Sequence, residues 1–214
     1  MRLDADVLFI AATDREAAPF KERGLPIAVT GIGKVNAAVV ASLALSGRRE
    51  ASGVVSVGVA GSLPGANQLG IGDCVVGTAS VSAEDGLLTP DGFIPVDQMG
   101  FPLAQGVRSG RFPAAPVLLH AVQDRLPTAH FGAIATVSTC SGTDAAAREV
   151  VQRTGAVAEA MEGVGVLQAA AQLGAAGLEV RAISNTTGRR DRQQWDLDAA
   201  LATLGLIADA FIAS

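Results

Sequence analysis

The sequence predicts an α/β domain. Short β-branched runs alternate along its 214 residues with alanine-rich segments of helical periodicity, which is the pattern of strands packed under helices. Apolar residues make up 49% of the chain and charged residues 17%, a composition that fills one sizeable core. No repeat, linker or change of composition divides the chain, so we expect a single domain over residues 1–214.

The strands are predicted where short apolar runs lie between turn residues, and the helices where apolar residues recur at three- and four-residue spacing. The strands are expected at residues 6–12, 27–30, 53–59, 73–82, 131–138, 156–161 and 179–184. The helices are expected at residues 15–23, 35–46, 117–126, 144–153, 163–173 and 198–213. Glycine turns punctuate this order, with Gly24 closing the first helix and Gly31-Ile32-Gly33 preceding the second. The small residues Ala60-Gly61-Ser62 predict a turn after the third strand.

Residues 84–116 are rich in Pro and Gly and show no sustained periodicity. They predict a long loop. So long a loop within a compact domain is usually functional, and we expect it at the rim of a site or at a subunit contact.

The charge balance is acidic: 16 Lys and Arg against 21 Asp and Glu give a net charge of −5. This disfavours nucleic acid or an anionic membrane as the main partner. The N-terminus carries acids where a signal peptide carries basic residues, and no run of about twenty apolar residues is free of Gly, Pro or charge. A soluble cytoplasmic protein is expected. Two cysteines, Cys74 and Cys140, are too few for a disulfide scaffold and are interpreted as free structural thiols.

Polar residues follow several of the predicted strands, at the edge where open α/β sheets bind ligands. These segments are Thr13-Asp14-Arg15-Glu16, Gly58-Val59-Ala60-Gly61, Thr139-Cys140-Ser141-Gly142-Thr143-Asp144, Glu159-Ala160-Met161-Glu162-Gly163 and Arg181-Ala182-Ile183-Ser184-Asn185. Carboxylates, an arginine, an amide and glycine turns therefore converge, and they predict a small-molecule cleft.

Each candidate also has a structural interpretation. Gly31-Ile32-Gly33 lacks the third glycine of a dinucleotide fingerprint, so a tight turn is favoured over a cofactor site. Glu162 begins a predicted helix, where an acid is stabilised by the helix dipole whether or not it reacts. Glu16 could be a solvated helix carboxylate, and Asn185 a turn former.

The remaining candidates are interpreted as structural. His120 and His130 have no ligand partners at metal spacing, so no metal site is expected. Residues 189–192 are interpreted as a solvated loop, and Trp195 by default as a packing residue.

Six of these segments occur in an order that resembles the purine nucleoside phosphorylase superfamily. They are Ala12-Thr13-Asp14-Arg15-Glu16, Gly31-Ile32-Gly33-Lys34-Val35, Gly58-Val59-Ala60-Gly61, Gly70-Ile71-Gly72-Asp73, Met161-Glu162-Gly163 and Arg181-Ala182-Ile183-Ser184-Asn185. Within it the chain resembles the methylthioadenosine/S-adenosylhomocysteine nucleosidase branch, and its 185–196 segment most resembles the futalosine hydrolases. The resemblance spans residues 7–213 and implies a three-layer α/β/α sandwich with a central mixed twisted sheet.

The resemblance also implies roles for residues of a purine nucleoside hydrolase. Glu16 matches the general base for the attacking water, and Arg181 an arginine near that glutamate and water. Glu162 matches the ribose-binding glutamate, and Met161 the methionine packed on the sugar. The base is expected to lie among Ala60, Gly61, Ser141, Gly142, Thr143 and Ser184, with Trp195 as an aromatic lid.

Asn185 is expected to set the substrate class. Adenine-specific nucleosidases of this branch carry an aspartate at this position. A 6-oxopurine presents acceptors at N7 and O6, and an Asn amide can donate to them where an ionised carboxylate cannot. Hypoxanthine or guanine is therefore favoured over adenine, and the resemblance implies futalosine as substrate with hypoxanthine released. Another purine nucleoside stays an alternative substrate: methylthioadenosine, aminodeoxyfutalosine or inosine.

Phosphorolysis is the alternative reaction. Phosphorylases of this superfamily bind phosphate with an arginine and a hydroxyl residue around the glycine turn after the third strand. In this sequence the two matching positions are occupied by Ser56 or Val57 and by Val59, none of which is a cation. Water is therefore favoured over phosphate as the acceptor of the glycosyl group. The resemblance implies no cofactor and a homodimer or larger homo-oligomer. A non-catalytic purine-binding protein and a nucleotide-cofactor oxidoreductase are the rival classes.

Overall fold

The computed structural model describes residues 7–48, 51, 53–65, 69–103, 107 and 109–212. Its strands are β1 (Val7–Ala11), β2 (Ile27–Val29), β3 (Gly53–Ser62), β4 (Cys74–Ser82), β5 (Gly86–Thr89), β6 (Gly92–Pro95), β7 (Arg111–Pro113), β8 (His130–Thr136), β9 (Ala158–Ala160) and β10 (Ala176–Thr186). Its helices are α1 (Asp14–Glu22), α2 (Lys34–Gly47), α3 (Pro116–Gln123), α4 (Asp144–Thr154), α5 (Gly163–Leu173) and α6 (Leu197–Ile212). Short 3-10 turns occupy Val96–Met99 and Arg190–Arg192.

The main sheet is mixed and closes on itself. β3 pairs in parallel with β10, which pairs antiparallel with β4. β4 and β8 are parallel, as are β8 and β9, and β9 returns antiparallel to the end of β3. β1 and β2 extend the sheet from the first half of β3. The ends of β3, β9 and β10 therefore meet at one place.

Helices cover both faces of the β1 side of the sheet. Alternate residues of β1 point to opposite faces, as strand geometry requires. Phe9 packs with α1, α3 and α6, where its ring centroid lies 4.8 Å from that of Phe211. Ile10 packs on the other face with α2 and α5. The predicted three-layer α/β/α sandwich with a central mixed sheet is confirmed.

The third and last strands are longer than predicted. β3 continues through Ala60-Gly61-Ser62, which the sequence analysis interpreted as a turn, and that prediction is wrong. These small residues stay in the strand because Gly61 and Ser62 pair with β9 on one side and β10 on the other. β10 begins at Ala176, three residues before the predicted start, because its full length pairs with β3.

The segment 84–116 is only partly a loop, so the prediction of a long loop is wrong in part. β5 and β6 form a hairpin, and β7 pairs with β4. The hairpin shows no clear alternation because most of its side chains are exposed or half-buried, so no face of it belongs to the core. It contacts the main body where Lys34 meets Asp85 at 2.6 Å and where Arg153 lies 4.5 Å from the Phe93 ring.

The remaining predicted elements agree with the structure to within a few residues. The predicted ends at residues 6 and 213 lie outside the described part of the chain. None of the helices in the described ranges is long and apolar enough to cross a membrane. The described residues likewise contain no group of three or more His, Cys, Asp or Glu side chains placed to hold a metal ion.

Candidate active site

A cavity of about 390 Å³ opens where the ends of β3, β9 and β10 meet. A second chamber of about 320 Å³ adjoins it. The residues that line the first chamber include Thr13, Arg15, Glu16, Ile32, Val59, Ala60, Gly61, Cys140, Glu159, Met161, Glu162, Ser184, Asn185, Trp195, Leu197 and Leu201. Most of the predicted site residues therefore share one cavity wall.

Glu16 is fixed at one end of this cavity and is only 6% exposed. Its Oε2 accepts hydrogen bonds from the N–H and hydroxyl of Thr13, at 3.0 and 2.7 Å, which completes a capping box at the start of α1. Its Oε1 accepts the Val59 N–H at 2.9 Å. Glu16 is therefore not a solvated helix carboxylate, and its position is set by two separate elements.

Gly58 allows the charged groups behind the cavity to approach the strand. Its φ is +156°, and a Cβ atom placed there would lie 2.5 Å from Glu16 Oε1 and 2.6 Å from Arg181 Nη1. A side chain at this position would push the carboxylate and the guanidinium apart. Gly58 is thus a mid-strand residue of β3, within the predicted strand, and it makes room for these two groups.

Glu162 starts α5, yet its side chain makes no capping bond to that helix. Its Oε1 accepts the Gly33 N–H at 3.0 Å, and its Oε2 accepts from Arg181 Nη1 at 3.2 Å. Glu162 therefore stands at the N-cap position of α5, as the sequence predicts, but its carboxylate is held by residues outside that helix. The Gly31-Ile32-Gly33 turn aims a backbone donor at this carboxylate.

Arg181 is completely buried and lies behind the cavity wall rather than in it. It donates to Glu162, to Glu179 Oε1 at 2.9 Å and to the Ser56 hydroxyl at 3.0 Å, and it also faces Glu16. Burial opposes its charge, but Glu179, Glu162 and Glu16 outweigh this and raise the pKa of the guanidinium. Arg181 thus positions carboxylates instead of presenting a free cation.

Glu179 is the buried member of this cluster that sequence reasoning missed. It is fully buried and also accepts a short hydrogen bond from Ser80. Burial raises the pKa of its carboxyl, although Arg181 and Ser80 oppose the shift. The sequence does contain a signal for this pair. Glu179 and Arg181 are two residues apart in a predicted strand, so their side chains point to the same face of the sheet. A buried carboxylate needs a hydrogen-bonded or charged partner, and Arg181 is placed to be that partner.

Asn185 lines the same cavity beside Gly61, its register partner on β3. Its Oδ1 accepts from the Ser184 hydroxyl at 2.8 Å, and its Nδ2 donates to the Thr186 carbonyl at 2.9 Å. The carbonyl can only accept, which fixes the orientation of the amide. The Nδ2 atom lies beside Gly61, where an added Cβ would come within 3.0 Å of it. A second N–H of Asn185 is thus left to donate to a ligand.

Ser141 and Gly142 line the second chamber, whereas Thr143 lines neither. Thr143 is the N-cap of α4, and its hydroxyl accepts the Ala146 N–H at 3.1 Å. Ser141 donates its N–H and hydroxyl to the two oxygens of Glu159, at 2.7 and 2.6 Å. Glu159 belongs to a segment that the sequence predicts at the cleft, but its spacing indicates no particular role.

Trp195 is half exposed and lines both chambers, so it is not a core packing residue. Its indole N–H donates to Gln193 Oε1 at 3.0 Å, and the Arg190 guanidinium lies 4.6 Å from its ring centroid. Gln193 in turn donates to the Ser141 carbonyl. Residues 189–192 are all exposed, as interpreted for a solvated loop, while Gln193 and Trp195 connect the segment that follows them to the second chamber.

Both cysteines are free thiols. Burial raises the pKa of Cys74 to about 12. Cys140 lines both chambers, but burial and the nearby carboxylates Glu159, Glu162 and Glu84 raise the pKa of its thiol. A neutral thiol is a poor nucleophile, so the chemistry of the cavity belongs to its carboxylates.

Comparison with known proteins agrees with this geometry. Residues 19–213 match the Phosphorylase superfamily. The chain belongs to this superfamily. The predicted resemblance is confirmed, and within the superfamily the chain groups with futalosine hydrolases.

One such relative is the futalosine hydrolase of Thermus thermophilus, which is 36% identical over 187 residues, 86% of this chain and 79% of the relative. The futalosine hydrolase of Acidothermus cellulolyticus is 42% identical over 158 residues, 73% of this chain. The chain spans 63% of the length of that relative.

A solved phosphorylase-superfamily structure shares the fold. The 5′-methylthioadenosine/S-adenosylhomocysteine nucleosidase of Neisseria meningitidis, in complex with methylthio-immucillin-A, superposes with a TM-score of 0.79. The match covers 96% of this chain and 98% of that one, at 22% sequence identity. The architecture is thus that of the superfamily even where the sequence has diverged.

Proposed function

We propose that this superfamily member hydrolyses the N-glycosidic bond of futalosine and releases hypoxanthine, in the futalosine route of menaquinone biosynthesis. One observation carries the proposal: two carboxylates, Glu16 and Glu162, and the donating amide of Asn185 line a single cavity. The futalosine hydrolases to which the chain is similar support the choice of substrate.

The carboxylates suit the sugar side of the reaction. Cleavage of an N-glycosidic bond develops positive charge on the ribose, which a fixed carboxylate stabilises. Glu162 would bind the ribose hydroxyls, with Met161 against the sugar. Glu16 would take a proton from the water that attacks the anomeric carbon. The electron pair of the broken C–N bond leaves with the purine.

Asn185 suits the base side. Its orientation is fixed by the Thr186 carbonyl, so its remaining N–H can meet only an acceptor. N7 and O6 of hypoxanthine are acceptors, and a hydrogen bond there stabilises the negative charge of the departing base. The Gly61 backbone and Ser184 would flank the base, with Ser141 and Gly142 beyond it and Trp195 covering it.

Water is favoured over phosphate because of the charges around Arg181. This cation lies close to Gly58, yet Glu16, Glu162 and Glu179 surround it and leave an excess of negative charge. A phosphate dianion would meet these carboxylates, and Val59 offers it no hydroxyl.

The experiment is incubation of the protein with futalosine, inosine and methylthioadenosine, with and without added phosphate, and chromatography of the released base. Hypoxanthine from futalosine in phosphate-free buffer is the expected result. Adenine release from methylthioadenosine as the main activity would contradict the substrate, and turnover that requires phosphate would contradict hydrolysis.

Self-association into a homodimer or larger homo-oligomer, and a cytoplasmic location, stay predictions. Sedimentation velocity of the purified protein checks the first. A species of monomer mass at micromolar concentration would contradict it.

A further inference from the structure

Glu159 is a buried carboxylate at the neck between the two chambers, and the proposed reaction gives it no task. It is only 4% exposed, and it lines both chambers together with Gly61, Cys140, Asn185 and Trp195. Burying an acid is costly unless its oxygens are bonded. A buried carboxylate at this position is placed to bind a ligand that occupies the chambers.

Glu159, Gly61 and Asn185 form one row across three adjacent strands. Gly61 is the register partner of Glu159 on β9 and of Asn185 on β10. Directly opposed residues project to the same face of a sheet. Gly61, the central residue of the row, has no side chain, so the space above it is open. The Asn185 amide lies on one side of this slot and the Glu159 carboxylate on the other.

The carboxylate has acceptor capacity to spare. Ser141 donates one hydrogen bond to each of its oxygens, through its N–H to Oε1 and its hydroxyl to Oε2. An ionised carboxylate accepts about four hydrogen bonds, so about two acceptor sites remain. These sites can receive an N–H but cannot donate to an acceptor.

We propose that Glu159 determines base specificity by accepting the N1–H of a 6-oxopurine, while Asn185 donates its one remaining N–H to O6 of the same ring. This rests on the proposed function and deepens it. Hypoxanthine carries a proton at N1, whereas adenine presents a bare acceptor there and an amine at position 6. Adenine would leave polar groups unpaired at both ends of the slot, which is how buried sites reject near-isosteres.

A purely positioning role makes a different prediction. Glu159 could serve only to hold the segment around Ser141. Glu84 provides the matched control, because it accepts the N–H groups of Ser138 and Thr139 in the same segment but lines neither chamber. Loss of a segment anchor should be reproduced by Glu84→Gln, whereas loss of a base contact should not.

The test is calorimetric binding of hypoxanthine, 1-methylhypoxanthine and adenine to the wild-type protein, Glu159→Gln and Glu84→Gln. We expect wild type to bind hypoxanthine about 10- to 100-fold more tightly than either other base, the range of one or two unpaired buried groups. Glu159→Gln should reduce this preference to about threefold or less, because its amide can donate to a bare N1. Glu84→Gln should keep the preference.

Two outcomes overturn the inference: a wild-type protein that binds the three bases equally, or a folded Glu159→Gln variant that keeps the full preference for hypoxanthine. The wild-type comparison needs no variant and so survives a failure of Glu159→Gln to fold. If hypoxanthine binding depends on Glu159 but the protein does not cleave futalosine, only the proposed function is contradicted. If the protein cleaves futalosine but Glu159→Gln keeps the wild-type preference for hypoxanthine, only this inference is contradicted.

Discussion

One part of the site, the charged end, has three carboxylates around a guanidinium that is buried behind the cavity wall. In the other part, the base end, an amide and a carboxylate line the cavity on either side of Gly61. The first end is built from α1, β3, α5 and β10 and is held by charged hydrogen bonds beneath the wall. The second relies on Asn185 and Glu159, each fixed by a neighbouring serine, and on the half-exposed Trp195.

This difference separates reactivity from selectivity. Replacing Arg181 at the charged end leaves the buried carboxylates Glu162 and Glu179 without their shared partner, so this position tolerates few substitutions. Under the proposed function, changing the base end alters only which donor or acceptor faces the purine. One scaffold can therefore keep its chemistry while its preferred base changes.

The largest effect is expected at the charged end from Glu16→Gln. The variant keeps the capping box, since glutamine also serves at that position, but it loses the general base. We expect kcat with futalosine to fall about 10²- to 10⁴-fold with little change in Tm. Thr13→Ala is the control, and it should cost about 1 kcal/mol of stability with a smaller kinetic effect. Steady-state kinetics and calorimetry measure both, and an active Glu16→Gln would remove the base from the mechanism.

Arg181→Met tests whether the cluster is one electrostatic unit. It leaves Glu162 and Glu179 without their shared partner, and breaking such a buried pair costs about 3–5 kcal/mol. Denaturant unfolding should show this loss. The double variant Arg181→Met with Glu179→Gln should recover part of it, and a double variant less stable than the single one would show that the charges are not coupled.

Asn185→Asp should sharpen the contrast from the base end. An aspartate can accept from the 6-amino group of adenine but repels O6 of hypoxanthine, so the kcat/KM ratio of futalosine to methylthioadenosine should fall about 10- to 100-fold. Competition assays with both substrates measure the ratio. An unchanged ratio would exclude Asn185 from base recognition.

The smallest effect is a pH dependence of stability. Burial raises the pKa of the Glu159 carboxyl, and the Ser141 hydrogen bonds oppose this only in part. The ionised form is therefore penalised by folding, with no penalty below the ordinary pKa of about 4.3 and a growing one as pH rises through the folded value.

Glu159→Gln removes that penalty, so its Tm relative to wild type should increase between pH 4.5 and 8. Glu22 is exposed and lies outside the cavity, so Glu22→Gln is the control. It shows how the Tm difference from wild type changes with pH when an unburied carboxylate is removed. A relative Tm that declines with rising pH would show that Glu159 is stabilised as an anion.

Much of the site was accessible from the sequence because ligands bind at strand ends, and strand ends can be located from periodicity. Glu16, Glu162 and Asn185 each follow a predicted strand, so one rule predicts that they meet, although β10 in fact extends through Asn185. Thr143 also follows a strand, yet it caps α4, because local hydrogen bonding competes with a ligand role and spacing does not distinguish the two.

The sequence by itself determined the alternation of strands and helices, the polar residues at the strand ends and the donor that suits a 6-oxopurine. Only the tertiary structure decided that β3 continues through Gly61, that Arg181 is enclosed by three carboxylates and that Glu159 stands opposite Asn185. The physical reason is that these contacts join residues distant in sequence through strand pairing. Their register depends on the closure of the whole sheet, and no local pattern of residues encodes it.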